Sequence, residues 1–391
     1  MDPASGGPCQ GIRNIIPELA KAGVQNEVVC LDDPGAAFLG KDVFKIYPLG
    51  PVKTPWQYSP KLIPWLREQI GNYDIVILHA LWLYHGYALR KVIKQLKRTG
   101  VQLPRVYIMP HGMLDPYFQQ AGERKIKAAR NWLYWKLIES DVVNEADGVL
   151  FTCESELLLA RQPFRPYHPK KEINIGYGVQ RPPVFEAAME SAFQATCPGL
   201  GNQPYFLFLS RIHEKKGIDH LVLAYSNLLE KYSQSGNQLE PFPKLVIAGP
   251  GLESAYGKQI QEMATISGAV SKSIFFPGML SGNGKWGAFY GCTAFILPSH
   301  QENFGIAVAE ALSCAKPVLI SYQVNIWREI VENGAGIAAD DSTDGAELLM
   351  DAWMKLSAVS KNQMKEKALK CFQKEFEIST SAERFRKLLI N

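Results

Sequence analysis

Short runs of β-branched and aromatic residues alternate along the chain with stretches whose apolar positions repeat every three or four residues. Strand-type runs fall at 27–31, 43–47, 75–79, 106–109, 148–152 and 172–175, and again at 205–209, 244–248, 273–276, 294–297, 317–320 and 336–338. Most are apolar through their interiors, as expected of strands covered on both faces. Helical periodicity predicts helices over 11–22, 60–71, 84–98, 123–139 and 155–160, with a short helical piece at 186–193. From residue 347 onward the pattern is almost purely helical, and 380–389 spaces its apolar residues for one packed face.

Strand and helix in alternation predict an α/β fold with parallel, doubly wound sheets. At 391 residues the chain is long enough for two such domains. Gly176, Gly178, Pro182, Pro183, Pro198 and Gly199 mark a boundary. The division expected is an N-terminal domain over 1–180, a linker over 181–203, a C-terminal domain over 204–375, and a final helix over 376–391 that packs back on the first domain. A doubly wound domain normally opens with a strand leading into its first glycine loop, yet Ser5, Gly6 and Gly7 stand at the very beginning. Either a strand precedes Met1 or the sheet does without it; the first is favoured, because a central strand is hard to omit from a core.

Composition narrows the class. Hydrophobic residues make up 47% and charged residues 20%, the balance of a packed globular enzyme. Seven widely spaced cysteines, with no C-x-x-C pair, suggest neither a disulfide framework nor a zinc site. No run of eighteen apolar residues occurs and the N-terminus lacks the pattern of a signal peptide, so a cytoplasmic location is expected. The net charge of +4 sits in the first half, where residues 1–180 hold 22 basic against 17 acidic side chains. Such a surplus suits anionic lipid or phosphorylated acceptors, and is also ordinary for a soluble domain. No nucleic-acid partner is expected.

The candidate chemistry lies in loops that follow strands. After the strand at 205–209 comes Ser210-Arg211-Ile212-His213-Glu214-Lys215-Lys216-Gly217. Arg211 offers a planar fork and Lys216 a point charge, and together they suit a diphosphate; the bland reading is a solvated basic turn, which fits Lys215 better. After the strand at 294–297 comes Pro298-Ser299-His300-Gln301-Glu302-Asn303-Phe304-Gly305-Ile306, running to Glu310. A helix opening near Asn303 or Phe304 would turn the free amides of Phe304, Gly305 and Ile306 toward a ligand. Glu302 and Glu310 lie eight residues apart, placed to hold two parts of one molecule rather than to stack as helical neighbours. Read alone, Glu302 would be a helix cap and Glu310 a surface residue; the apolar run around Glu310 argues against the latter.

Ser-Arg-x-x-x-x-Lys-Gly, Ile247-Ala248-Gly249-Pro250-Gly251, Phe276-Pro277-Gly278 and the stretch from Glu302 to Glu310 together resemble the donor domain of glycosyltransferase family 4. The resemblance is specific over 204–339 and extends to the whole chain in layout. It implies the GT-B fold, two Rossmann-like domains facing a cleft, and retaining transfer from a nucleotide-diphosphate sugar with neither metal nor cofactor. Arg211 and Lys216 would then bind the diphosphate, Glu302 the sugar and Glu310 the ribose, with Asn303 and the amides of Phe304 to Ile306 completing the site. Gly6 and Gly7 match the family's glycine loop near the donor phosphates, and His111 in Pro110-His111-Gly112-Met113 matches its histidine against the transferred sugar. The stretch Gly282-Asn283-Gly284-Lys285 departs from the usual charged or hydroxylated opening of the helix after Phe276-Pro277-Gly278.

Catalysis is expected to stabilise charge on the departing diphosphate, as no Asp-x-Asp pair is present to hold a divalent ion. The acceptor is expected to be a glycan or lipid-linked oligosaccharide in polysaccharide assembly. Residues 123–139 mix Arg124, Lys125, Lys127, Arg130 and Lys136 with Trp132, Leu133, Tyr134 and Trp135, a helix that either lies on the inner face of a membrane or buries its aromatics in the core. A nucleotide-sugar epimerase, a pyridoxal-phosphate-dependent polysaccharide phosphorylase and an inactive sugar-nucleotide binder are the competing readings.

Overall fold

A computed structural model describes residues 1–2, 7–120, 125–234, 241–265 and 268–390. All twelve predicted strands are present: β1 (Glu27–Cys30), β2 (Lys45–Pro48), β3 (Ile75–His79), β4 (Arg105–Met109), β5 (Gly148–Phe151), β6 (Glu172–Asn174), β7 (Tyr205–Leu209), β8 (Lys244–Ala248), β9 (Ile274–Gly278), β10 (Ala294–Leu297), β11 (Val318–Ser321) and β12 (Gly336–Ala339). Every pairing between them is parallel. Parallel strands need helical crossovers, and these bury both faces of the sheet, which is why the runs read as apolar through their interiors.

The chain forms two compact units, Met1–Gly178 with Ile378–Asn391, and Val179–Glu377. In the second unit the sheet runs β12-β11-β10-β7-β8-β9. Nearly every residue of β7, β8, β10 and β11 is buried. Residues 181–203, expected as a linker, belong to this unit. Their helix Ala187–Thr196 packs on the helix Gly282–Gly291, where Gly287 lies so close to the carbonyl of Met189 that a Cβ would come within 2.0 Å. The buried Met189 and Phe193 on that helix explain the attachment.

The first unit holds the sheets β1-β2 and β3-β4-β5-β6. Its core gathers Leu78, Ile108, Val149, Phe151, Trp135, Tyr84 and Leu89. The helix Ile378–Ile390 packs on the helix Gly7–Lys21 and buries Ala382 and Phe385. The two sheets are not hydrogen-bonded to one another among the described residues; β1 and β3 instead line one cavity of about 1830 Å³ together with the helix Gly7–Lys21. Tyr73 at the foot of β3 reaches Glu27 on β1 through its hydroxyl, so long side chains span the gap that the backbones leave.

One expectation about the start of the chain changes. Gly7 is the first residue of the helix Gly7–Lys21 rather than part of a loop, and its carbonyl accepts a 2.6 Å hydrogen bond from the hydroxyl of Tyr177. Gly6 lies outside the described residues, as do residues 123 and 124 of the basic aromatic stretch.

Candidate functional site

In the second unit β7 lies between β10 and β8, so the chain winds one way through β8 and β9 and then back through β10 to β12. The crevice at the carboxyl ends of β7 and β10 is therefore the switch point of the sheet, where open α/β folds take their ligands. The two loops singled out in the sequence both leave from it.

The loop after β7 is held on two sides. The amide of Ser210 donates to Ala248 at 3.1 Å and that of Ile212 to Pro250 at 2.8 Å. Gly249, at φ +146°, lies against the Ser210 carbonyl, where a Cβ would come within 1.7 Å, so only glycine lets these two loops meet. On the other side, Lys215 accepts at its carbonyl from the amide of His300 at 2.8 Å and from the Ser299 hydroxyl at 2.9 Å.

Lys216 closes a short 3-10 turn and is buried; its ammonium donates to Glu302 Oε2 at 2.5 Å. The two residues lie eighty-six apart in sequence and meet because their loops leave adjacent parallel strands. Glu302 is held in turn by backbone bonds, its amide donating to Gln323 and its carbonyl accepting from Asn325, both at 3.0 Å. Arg211 stands exposed in the same loop, and among the described residues its guanidinium has no hydrogen-bond or ion-pair partner.

The helix after Glu302 runs Ile306–Ser313 with Gly305 as its left-handed N-cap (φ +79°). It opens two or three residues later than the sequence predicts. Asn303 instead contacts Asn325, and Phe304 is buried with its ring edge-on to Phe376 at 5.7 Å. Phe304 thus places its side chain in the core, and the open amides of the helix start at Ile306, since those of Val308 and Ala309 already donate to the Gly305 carbonyl. Glu310 sits on this helix with 13% of its side chain exposed, and Lys285 from the helix Gly282–Gly291 donates to its Oε1 at 2.6 Å. Burial pushes the Glu310 carboxyl up from its ordinary range, and Lys285 works against that rise. The Lys285 contact escaped the sequence reading because only the fold brings the two helices together.

In the first unit His111 follows β4 in a left-handed conformation (φ +52°) that a histidine rarely adopts. Its Nε2 lies 2.9 Å from Nδ1 of His79, the last residue of β3, and the rings stack at 5.2 Å between centroids. One nitrogen must donate and the other accept, so the two rings cannot both be protonated. Burial, then the neighbouring imidazole, lowers His111 to about 3; burial, then His85, lowers His79 to about 4. His85 donates from Nε2 to the His79 carbonyl at 2.8 Å. The Pro110–Gly112 turn is fixed by buried Glu156, which accepts from the Gly112 amide at 2.5 Å and from both amide and hydroxyl of Thr152. His79, His85 and Glu156 were not read from the sequence; a histidine ending an apolar strand was the available signal.

Among the described residues no group of three His, Cys, Asp or Glu side chains is arranged to hold a metal ion. All seven cysteines are free thiols.

Two family models match the chain in succession, the glycosyl transferase 4-like domain over residues 6–170 and glycosyl transferases group 1 over 198–370. The chain belongs to the family-4 type of glycosyltransferases. The fold agrees. Sucrose-phosphate synthase from Thermosynechococcus elongatus superposes with a TM-score of 0.69 at 18% identity, covering 98% of this chain and 92% of that one. HepE of Anabaena, solved in complex with UDP and glucose, gives 0.68 at 16% identity over 99% of this chain and 96% of its own. These are GT-B glycosyltransferases, and the α/β chain shares their fold. By sequence it is 28% identical to the alpha-D-kanosaminyltransferase of Streptomyces kanamyceticus over 165 residues, 39% of this chain and 38% of that protein. It is also 22% identical to the D-inositol 3-phosphate glycosyltransferase of Corynebacterium urealyticum over 359 residues, 86% of this chain and 79% of that one. The match therefore spans well under half the length of the first of these relatives.

Proposed function

We propose that this glycosyltransferase moves a sugar from a nucleotide-diphosphate donor to a hydroxyl of a glycan or lipid-linked acceptor, with retention and without a metal, in polysaccharide assembly. The observation that carries the reading is the meeting of Lys216 and Glu302 at the switch point of the second sheet, with Arg211 open beside them. A sugar diphosphate offers hydroxyls and anionic oxygens side by side. Glu302 accepts from the sugar hydroxyls, while Lys216, whose ammonium keeps two N–H groups beyond the one given to Glu302, donates to the diphosphate. Arg211 adds a planar pair of donors.

In the reaction the bond from the anomeric carbon to the β-phosphate oxygen breaks and a bond to the acceptor oxygen forms. Positive charge grows on the anomeric carbon and negative charge on the leaving diphosphate. Arg211 and Lys216 hold the second charge more strongly than the first-bound donor, so they act on the rate. For retention the acceptor enters on the face the diphosphate leaves, and its proton passes to a diphosphate oxygen. No side chain serves as nucleophile; His111 orients the transferred sugar, and its neutral ring does not oppose the forming cation.

Turnover of a panel of UDP-, GDP- and ADP-sugars in excess EDTA, with the anomeric configuration of the product read by NMR, tests this reading. Release of nucleoside diphosphate with retained configuration is expected. Isomerised sugar without acceptor would support an epimerase, and donor binding with no turnover an inactive binder.

Contact with a membrane is part of the proposal. No helix among the described residues is long and apolar enough to cross one. The helix Lys125–Tyr134 and the π-turn Trp135–Glu139 divide their side chains. Trp135 is fully buried, while Ile126 is 88%, Leu137 69% and Leu133 53% exposed along one stripe. Lys125, Lys127, Arg130 and Lys136 flank it, and Trp132 lies beside Lys136. An apolar ridge between cations fits an anionic lipid surface. Flotation with anionic vesicles at low salt is expected to carry the protein, and Ile126→Ser with Leu133→Ser and Leu137→Ser is expected to leave it behind. Equal flotation of the two proteins would remove the membrane from the proposal.

A further inference from the structure

Glu310 does not offer a bare carboxylate. Its Oε1 is taken by Lys285 at 2.6 Å, and Oε2 takes no hydrogen bond among the described residues. The lysine is held in place: its ammonium lies over the ring of Trp286 at 4.7 Å and near that of Phe289 at 6.0 Å, which restrains a side chain that would otherwise be mobile. Both partners are largely shielded, with 13% and 24% of their side chains exposed. An ion pair so placed contributes little to folding that an apolar pair of equal size would not, so stability does not account for it.

The pairing changes what the site can bind. A free carboxylate accepts from both hydroxyls of a vicinal diol, one on each oxygen. With Lys285 set against Oε1, the oxygen left open to a hydroxyl is Oε2. The neighbouring hydroxyl then meets the ammonium, which has N–H groups to spare and nothing with which to accept. We infer that Lys285 and Glu310 read the donor's ribose as a pair, Oε2 accepting from one hydroxyl and Lys285 Nζ donating to the oxygen of the next. The inference rests on the reading that Glu310 meets the nucleotide, and it makes Lys285 a specificity-determining residue. A ligand with a single hydroxyl at this position satisfies half of the pair and leaves the other half buried without a partner, which is costly.

Steady-state kinetics on the donor selected from the nucleotide-sugar panel, and on its 2′-deoxy and 3′-deoxy forms, tests it. The unaltered enzyme is expected to disfavour each deoxy donor by about tenfold or more in kcat/KM, the size of one hydrogen bond to a charged group. Lys285→Met is expected to raise KM for the ribose donor about tenfold, with kcat within about twofold, as loss of uniform binding requires. It should also lose discrimination against one deoxy donor and keep it against the other. Lys285→Arg should restore part of both. Should Lys285→Met fail to fold, Lys285→Leu, which also removes the donor, carries the same comparison. Discrimination unchanged in Lys285→Met or Lys285→Leu, or a loss equal for all three donors, would overturn the inference. An unaltered enzyme silent on every donor would instead overturn the transferase reading.

Discussion

Three ionisable side chains in the first unit, Glu139 buried and His79 and His111 half-buried, set opposite pH dependences. His79 and His111 are held neutral, at about 4 and about 3, chiefly by burial. Unfolding releases them to the ordinary histidine value near 6.5, so below that pH the unfolded chain binds more protons than the folded one. Stability should be full above pH 6.5 and fall as pH drops toward 4, by up to about 1.4 kcal/mol per pH unit for each ring. Glu139 runs the other way. Burial raises its carboxyl to about 8, and its Oε2 has no hydrogen-bond partner among the described residues. Between the ordinary carboxyl value and 8 the folded state holds the extra proton, so stability should decline as pH rises through that window. Thermal melts of Glu139→Gln should show this alkaline decline flattened, and melts of His79→Gln the acid decline reduced; profiles identical to the parent would contradict these assignments. Glu139 could not have been read from the sequence, where it is one more acidic residue on a basic helix.

At the scale of elements, strands were legible and loop contacts were not. A buried parallel strand must be apolar throughout, which is why 205–209, 244–248 and 294–297 stand out from residue pattern alone. The helix start at Ile306 was displaced from the expected Asn303 or Phe304 because Phe304 is drawn into the core against Phe376, a partner seventy-two residues away that local pattern cannot reveal. Glycines in Ile247-Ala248-Gly249-Pro250-Gly251 were legible as a motif, but not as the place where the β8 loop touches Ser210. Gly249→Ala should cost about 3 kcal/mol or more, since backbone rather than a flexible side chain stands where the methyl group would go. A shift of the melting midpoint by less than about 2 °C would contradict that packing.

For the whole molecule, the doubly wound α/β class followed from alternation alone, and the strand order placed the Arg211 and Glu302 loops at one crevice. Motif spacing selected the loops; topology brought them together. Beyond the reach of pattern were the pairing of Lys285 with Glu310, the packing of the helix Ala187–Thr196 on the helix Gly282–Gly291, and the cavity shared by β1 and β3. Each depends on contacts between segments far apart in sequence. The central claim is that Lys216, joined to Glu302 at the switch point, stabilises the leaving diphosphate. The most direct measurement is the single-turnover rate of Lys216→Met at saturating donor, beside the parent enzyme and with folding verified by melting. The expected result is a rate at least about a hundredfold lower, the scale of one lost charged contact in a transition state. A variant that binds donor and turns it over at the parent's rate would contradict the account.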